Sequence, residues 1–247
     1  MRSRLTRRGR RTAAAGLALA AAVLVSASPA AARPSTPPRV EISTHPALLA
    51  PDGRSVGVVV VARCADRWSV VEASVTVTQP QASGRGTIPL TCIGFDRVFH
   101  VLVPVSSGTF ALGSASVTAT VVASRGKTQR ADDSATLPVD PTVFVDLDGS
   151  ARLEPGGSAV RLGLTVACPV GATGVPSRVG VFQGQTSGFG PYTPVCDGAE
   201  HRFDVLVNST NGLFAAGIAQ ALTFADITYD GRTFSGIDDD GALEIVP

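Results

Sequence analysis

RVFHVLVPVSSGTFALG (residues 97–113) and HRFDVLVNSTNGLFAAG (residues 201–217) decide the fold between them. Phe99, Val101, Leu102 and Val103 fall on Phe203, Val205, Leu206 and Val207. Gly108, Phe110, Ala111 and Gly113 fall on Gly212, Phe214, Ala215 and Gly217. Each stretch starts as a β-branched and aromatic run and ends on glycine-punctuated turn residues, the pattern of a buried strand running into a tight connection.

The shared spacing is 104 residues, and it extends well beyond these stretches. Leu49, Pro51, Gly53 and Val56 meet Leu153, Pro155, Gly157 and Val160. Val75 and Val77 meet Val179 and Val181, Cys64 meets Cys168, and Cys92 meets Cys196. One register holds without a gap from residue 49 to 115, which identifies a duplication. An insertion enters near the last hairpin, where Ser124–Asp133 corresponds to the longer Thr228–Asp240. The chain therefore divides into a leader (1–32), a first repeat (33–140) and a second repeat (141–247). Asp140-Pro141 makes the linker short.

Each repeat reads as strands. Ser74–Thr78 and Val117–Val121 alternate with period two, while Val56–Ala62 is a continuous apolar run suited to a strand buried on both faces. Gly, Pro, Ser and Asn recur between such runs, and no segment carries a capped apolar helical stripe. In the first repeat the strands fall near 40–44, 55–64, 71–79, 87–92, 97–104, 114–123 and 134–139. The expected fold is all-β: two tandem immunoglobulin-like antiparallel β-sandwich domains with one disulfide each. Trp68 has no counterpart, because Ala172 occupies its repeat position.

The first thirty-two residues have the form of an export signal. Arg2, Arg4, Arg7, Arg8, Arg10 and Arg11 precede an apolar run from Ala13 to Val25, and Ala30-Ala31-Ala32 supplies small residues for cleavage. The apolar run falls short of the about 20 residues that a bilayer span needs. Removal of the leader turns 21 basic and 20 acidic residues into 15 and 20. An acidic chain without a basic run excludes nucleic acid as a partner. Four cysteines in an exported chain read as two disulfides. Because each repeat must fold by itself, the pairing is Cys64–Cys92 and Cys168–Cys196. The secreted chain is expected outside the cell, with no stable insertion in a membrane.

The most conspicuous shared motif is Q-x-Q-x-S-G-x-G, at Gln79–Gly86 and Gln183–Gly190. Gln79, Gln81, Ser83, Gln183, Gln185 and Ser187 are candidate ligand contacts, since amides and hydroxyls can hydrogen-bond a glycan. The alternative is a plain connection leaving a strand, with glycines where φ is positive. Asp146-Leu-Asp-Gly149 and Asp238-Asp-Asp-Gly241 lack the spacing of a calcium loop and have no counterpart in the first repeat, so they read as solvated turns and no metal site is expected. His45, His100 and His201 share no repeat position and carry no nucleophile motif, so no cofactor and no catalytic residue is assigned. Asn208-Ser-Thr210 has the form of a glycosylation sequon and reads as a turn.

With the leader, the cysteine pairs, the Q-x-Q-x-S-G-x-G segments and the Phe110/Phe214 context together, the chain resembles secreted actinobacterial proteins of unassigned function built from immunoglobulin-like repeats. More distantly it is similar to the enediyne-binding chromoproteins of the neocarzinostatin type. The first resemblance brings no catalytic residues, and a duplicated sandwich with no reactive constellation leads to the expectation of a non-enzymatic extracellular or envelope-associated module that binds a protein or glycan. The second implies a small molecule held in a sandwich cleft. A hydrolase is the third and least favoured reading.

Overall fold

The structure, a computed structural model, describes residues 36–239 and 241–247; the expected leader lies outside them. In the first repeat the chain forms β1 (Arg39–Ile42), β2 (Ala47–Leu49), β3 (Ser55–Arg63) and β4 (Ser69–Gln79). It continues with β5 (Ala82–Thr87), β6 (Arg97–Gly108), β7 (Gly113–Arg125) and β8 (Lys127–Pro141). The β3 strand pairs with β6 along one edge and with β1 and then β2 along the other. From β6 the ladder runs through β5, β4, β7 and β8, and β8 returns to β2 in parallel. Counting β1 and β2 as one interrupted strand, seven strands close on themselves.

The second repeat is built from β9 (Phe144–Leu153), β10 (Ala159–Ala167), the short β11 (Thr173–Gly174), β12 (Ser177–Gln183) and β13 (Thr186–Tyr192). After them come β14 (Glu200–Asn211), β15 (Gly217–Tyr229), β16 (Arg232–Asp238) and β17 (Leu243–Val246). Its ring runs β9, β10, β14, β13, β12, β15 and then β16 with β17, which closes in parallel on β9. Both repeats are all-β with one disulfide each, but each sheet is a closed ring where two separate layers were expected. Closure comes from two seams: β5 reaches β6 (β13 reaches β14), and the first strand meets the last in parallel. Closure also removes the unpaired edges that invite aggregation.

Alternation explains the core. Val56, Val58, Val60 and Ala62 on β3 point inward with at most 1% of their surface exposed, and Val160, Leu162, Leu164 and Val166 do the same on β10. Each such side chain stabilises the fold by about 1.5–3 kcal/mol when fully buried. Val75, Val77, Val117, Val121, Val101 and Val103 complete the first core, and Val179, Val181, Val205, Val207 and Phe214 contribute to the second.

The cysteines pair as Cys64–Cys92 and Cys168–Cys196, with Cα–Cα distances of 4.5 and 4.7 Å. Each bridge ties the exit of one strand (β3 or β10) to the entry of its neighbour (β6 or β14). The N–H of Gly94 donates to the Cys64 carbonyl, and that of Gly198 to the Cys168 carbonyl, in the same way.

Two strand boundaries differ from the sequence reading. The fourth strand occupies Ala82–Thr87, not 87–92, where Pro89 removes a ladder donor. The eighth strand begins at Lys127 and not at 134, because the polar run Thr128–Asp133 pairs in register with β7. Between the repeats, the N–H and hydroxyl of Thr142 both donate to the Leu49 carbonyl, and Arg232 pairs with the buried Asp140 at 3.0 Å.

Candidate functional site

The Q-x-Q-x-S-G-x-G segments are hairpins followed by strands. The Gln79 Nε2 donates to the carbonyls of Ala111 (2.8 Å) and Ser114 (3.2 Å), while its Oε1 accepts from the Ala111 N–H at 2.9 Å. Gln183 repeats this with Ala215, at 2.8 and 2.9 Å. Each glutamine thus mimics a backbone strand and pins the loop that follows β6 or β14. Gln81 and Gln185 are exposed at the two hairpin turns. Ser83 shares a hydrogen bond with Ser107, and Ser187 donates to the Asn211 side chain.

The shared glycines Gly84, Gly86, Gly188 and Gly190 do not sit at positive φ, whereas Gly184 at the hairpin turn does, as the connection reading expects. The shared glycines face a neighbouring backbone. A Cβ on Gly84 would lie 2.3 Å from the Pro104 carbonyl oxygen, and one on Gly188 would lie 2.4 Å from that of Asn208. Phe110 and Phe214 close over the same glycines, which accounts for their shared register with the motif.

The aspartate runs also acquire a structural role. Asp238 accepts the N–H of Leu147 at 2.7 Å, and Asp133 accepts that of Ile42 at 2.7 Å. Both carboxylates fill the place where the first strand of the ring breaks its pairing. Asp238 therefore does have a counterpart in the first repeat, hidden from a fixed spacing. The register shows why: one residue is added in the hairpin turn, so the match falls at 105, and a second is added only beyond it, between β16 and β17. Among the described residues, no three His, Cys, Asp or Glu side chains converge as a metal site.

The three histidines stay apart. The His45 Nδ1 meets the Ser43 hydroxyl at 2.6 Å within one loop, and the His201 Nε2 meets Asp197 at 2.8 Å. That contact with His201 holds the Asp197 carboxyl below the usual range. Burial pushes the Tyr192 hydroxyl up to about 12, and it donates to the Phe224 carbonyl.

What distinguishes the repeats lies on their outer surfaces. On the second repeat the outward residues of β12, β13, β15 and β16 form rows: Pro191, Arg178, Phe224 and Ile237; then Phe189, Gly180 and Leu222; then Phe182 beside Gln220. Phe182 and Phe189 stand edge to face at 5.9 Å, with the Arg178 guanidinium 5.6 Å from the Phe189 ring centre. Phe182 is 38% exposed, Phe189 42% and Ile237 58%. A cleft of about 610 Å³ opens at the edge of this face, lined by Pro176, Arg178, Pro191, Phe224, Asp226 and Ser235 among others.

The same positions in the first repeat are polar. Thr78, Arg85, Thr87, Thr118, Thr120 and Asp132 stand where the second repeat has Phe182, Phe189, Pro191, Leu222, Phe224 and Ile237. They are tied together by Arg85–Glu72 (2.5 Å), Arg130–Asp132 (2.7 Å) and Thr120–Asp132 (2.7 Å).

The opposite side inverts the contrast. On β2, β3 and β6 the first repeat turns Leu48, Val59, Val61, Val98 and Leu102 outward around His100; Val98 is 62% exposed and Leu102 65%. At the same places the second repeat has Arg152, Gly163, Thr165, Arg202 and Leu206 around Asp204. There Arg202 pairs with Asp148 directly over Gly163, and Arg161 pairs with Glu154 at 3.0 Å. Neither apolar face was visible as a motif, since every member except Leu102, which matches Leu206, is an exception to the repeat. The signal available in sequence was the outward half of each alternating strand compared between repeats.

No family model matches the sequence, and neither does any curated protein. Among solved structures, a protein of unknown function from Porphyromonas gingivalis W83 aligns with 83% of this chain and 99% of its own, at 13% identity. Its TM-score of 0.23 is too low to show a shared fold.

Proposed function

We propose that the protein is a secreted, non-enzymatic module of immunoglobulin-like repeats, held at the cell envelope or released, that works through macromolecular contact. The observation that carries this reading is the pair of exposed apolar faces, one on each repeat, at positions most of which are polar or charged in the other repeat. A contiguous apolar face rimmed by polar groups marks an interaction surface in a soluble protein. Export is supported by the basic, apolar and small-residue order of residues 1–32 and by the two disulfides, which suit an oxidising compartment. The immunoglobulin-like assignment is supported by strand order, with β3 beside β6 and β4 beside β7 as in a Greek key.

Fractionation of a producing culture tests the reading. The chain is expected in the medium or on the envelope, starting at Arg33, and Phe189→Arg is expected to reduce envelope retention at least about tenfold, a loss of about 1.4 kcal/mol. An uncleaved chain in the cytosol, or retention unchanged by Phe189→Arg, contradicts it. A second reading, sequestration of a small molecule, is favoured by the cleft at Pro191 and Phe224. It predicts that Phe224→Ala weakens small-molecule uptake while Phe189→Arg, on the open face, does not.

A further inference from the structure

We infer that the two apolar faces are made for each other in a second copy of this chain: the β2/β3/β6 face of one copy packs on the β12/β13/β15/β16 face of another. The inference rests on the contact reading above and names the partner.

Three observations lead to it. First, the faces are exposed within one chain, so they do not cover one another there: Leu48 is 48% exposed, Val98 62%, Leu102 65%, Phe182 38%, Phe189 42% and Ile237 58%. Second, the faces lie on different repeats, so every copy carries both halves of one contact. Third, area selects the arrangement. With an aromatic side chain burying about 150–250 Å², each face offers on the order of 300 Å² of accessible apolar surface. A stable association needs about 800 Å² per partner. One face falls well short of that, whereas two faces and their polar rims approach it. A two-fold pair, in which each copy gives its first-repeat face and its second-repeat face to the other, engages both at once.

The neighbourhoods are compatible. The rings of Phe182 and Phe189 close over Gly180, 3.0–3.1 Å from where its Cβ would stand, so the second-repeat face presents aromatic rings. The apolar face of the first repeat is bordered by Asp96, which stands 3.9 Å from Arg39 and 3.7 Å from Arg63. On the other face Arg178 keeps its Phe189 partner, and Asp226 is bonded by Ser235 at 2.5 Å.

Sedimentation velocity on the purified protein tests this. Twice the chain mass is expected at about 100 μM, well above a micromolar dissociation constant. Leu102→Lys and Phe189→Lys should each give monomers, with unchanged circular dichroism. Mixing these two variants should restore a one-to-one pair, because each retains the face that the other has lost. A wild-type monomer at that concentration overturns the inference, as does a Leu102→Lys variant that still dimerises, which would mean that the second-repeat face pairs with itself. A monomeric wild type whose envelope retention still falls with Phe189→Arg would reject self-pairing and leave the contact reading standing.

Discussion

The two repeats share a frame and differ in what they do with its spare positions. The comparison is sharpest around Trp68. In the first repeat Trp68, 8% exposed, packs with Cys64, Ala123, Val70 and Leu90 beside the disulfide. In the second repeat Ala172 stands at the place of Trp68, and Ile227 at the place of Ala123. The bulk has moved from the loop to the strand: Ile227 is fully buried. A second exchange accompanies it, with Tyr192 at the place of Ile88 and its ring 5.4 Å from that of Phe203. Volume is kept while identity is not, as close-packed interiors require. The outer faces obey no such constraint, and there the repeats diverge in chemistry as well as in size. Core differences compensate within a repeat, whereas surface differences do not, so the surface differences are where a selected role is to be sought.

The largest effect that tests this contrast comes from Trp68 itself. Trp68→Ala should cost about 3–5 kcal/mol, and adding Ala123→Ile, the residue of the second repeat, should recover part of it. Ala172→Trp should destabilise the second repeat by about 1–3 kcal/mol, since Ile227 already fills the space. Denaturant unfolding of the three variants checks both; a Trp68→Ala loss that Ala123→Ile deepens would break the compensation account.

Next in size is a position at which the repeats should behave alike. Gly84→Ala and Gly188→Ala each force a Cβ onto a carbonyl oxygen, at 2.3 and 2.4 Å, and each should cost about 1–3 kcal/mol. If only one of them destabilises the protein, the motif is not a shared structural device.

The glutamines offer a finer scale. Gln79→Ala removes three hydrogen bonds and Gln183→Ala two, with about 0.5–1.5 kcal/mol at stake for each. Gln79→Ala should therefore lower the unfolding midpoint more than Gln183→Ala. Equal losses would show that the Ser114 contact contributes nothing.

The smallest prediction concerns charge. Hydrogen bonds from Arg130 and Thr120 hold the Asp132 carboxyl below its ordinary value. A lowered pKa in the folded state makes its contribution to stability full above the unfolded value, near 3.9, and lost as pH falls through the folded one. Carbon-13 titration should find Asp132 below the usual carboxylate range, and Arg130→Gln should move it upward. Ile237 occupies this position in the second repeat, so no such titration exists there.

Much of the frame is legible in the sequence because it is written twice. Cys64 with Cys168, Gly53 with Gly157 and Phe110 with Phe214 announce one register, and the disulfides and the positions of most strands follow from it. The fourth strand escapes because Ser83-Gly84-Arg85-Gly86 has low strand propensity in isolation; its glycines are required by the backbone of β6, a partner distant in sequence. Ring closure escapes for a related reason, since each seam has one short partner of weak pattern, β5 against β6 and β2 against β8. Asp133 and Asp238 escape because a one-residue insertion in the hairpin turn shifts the spacing that would have matched them from 104 to 105. The candidate faces escape for the opposite reason: attention to what the repeats share directs the eye to Gln79 and Gln183, which are occupied with their own loops, and away from Phe182, Phe189 and Val98.

The central claim is that the duplicated register carries the fold and the unduplicated faces carry the contacts. One variant addresses it directly: Phe182→Thr, Phe189→Arg, Leu222→Thr and Ile237→Asp together, giving the second repeat the outer face of the first. Surface substitutions of this kind usually shift stability by no more than about 0.5 kcal/mol each. Thermal unfolding and sedimentation velocity, measured on the same sample, are predicted to show a cooperative transition within a few degrees of the wild type, together with loss of the two-copy species. A collapsed transition, or a two-copy species that survives all four changes, would contradict the claim.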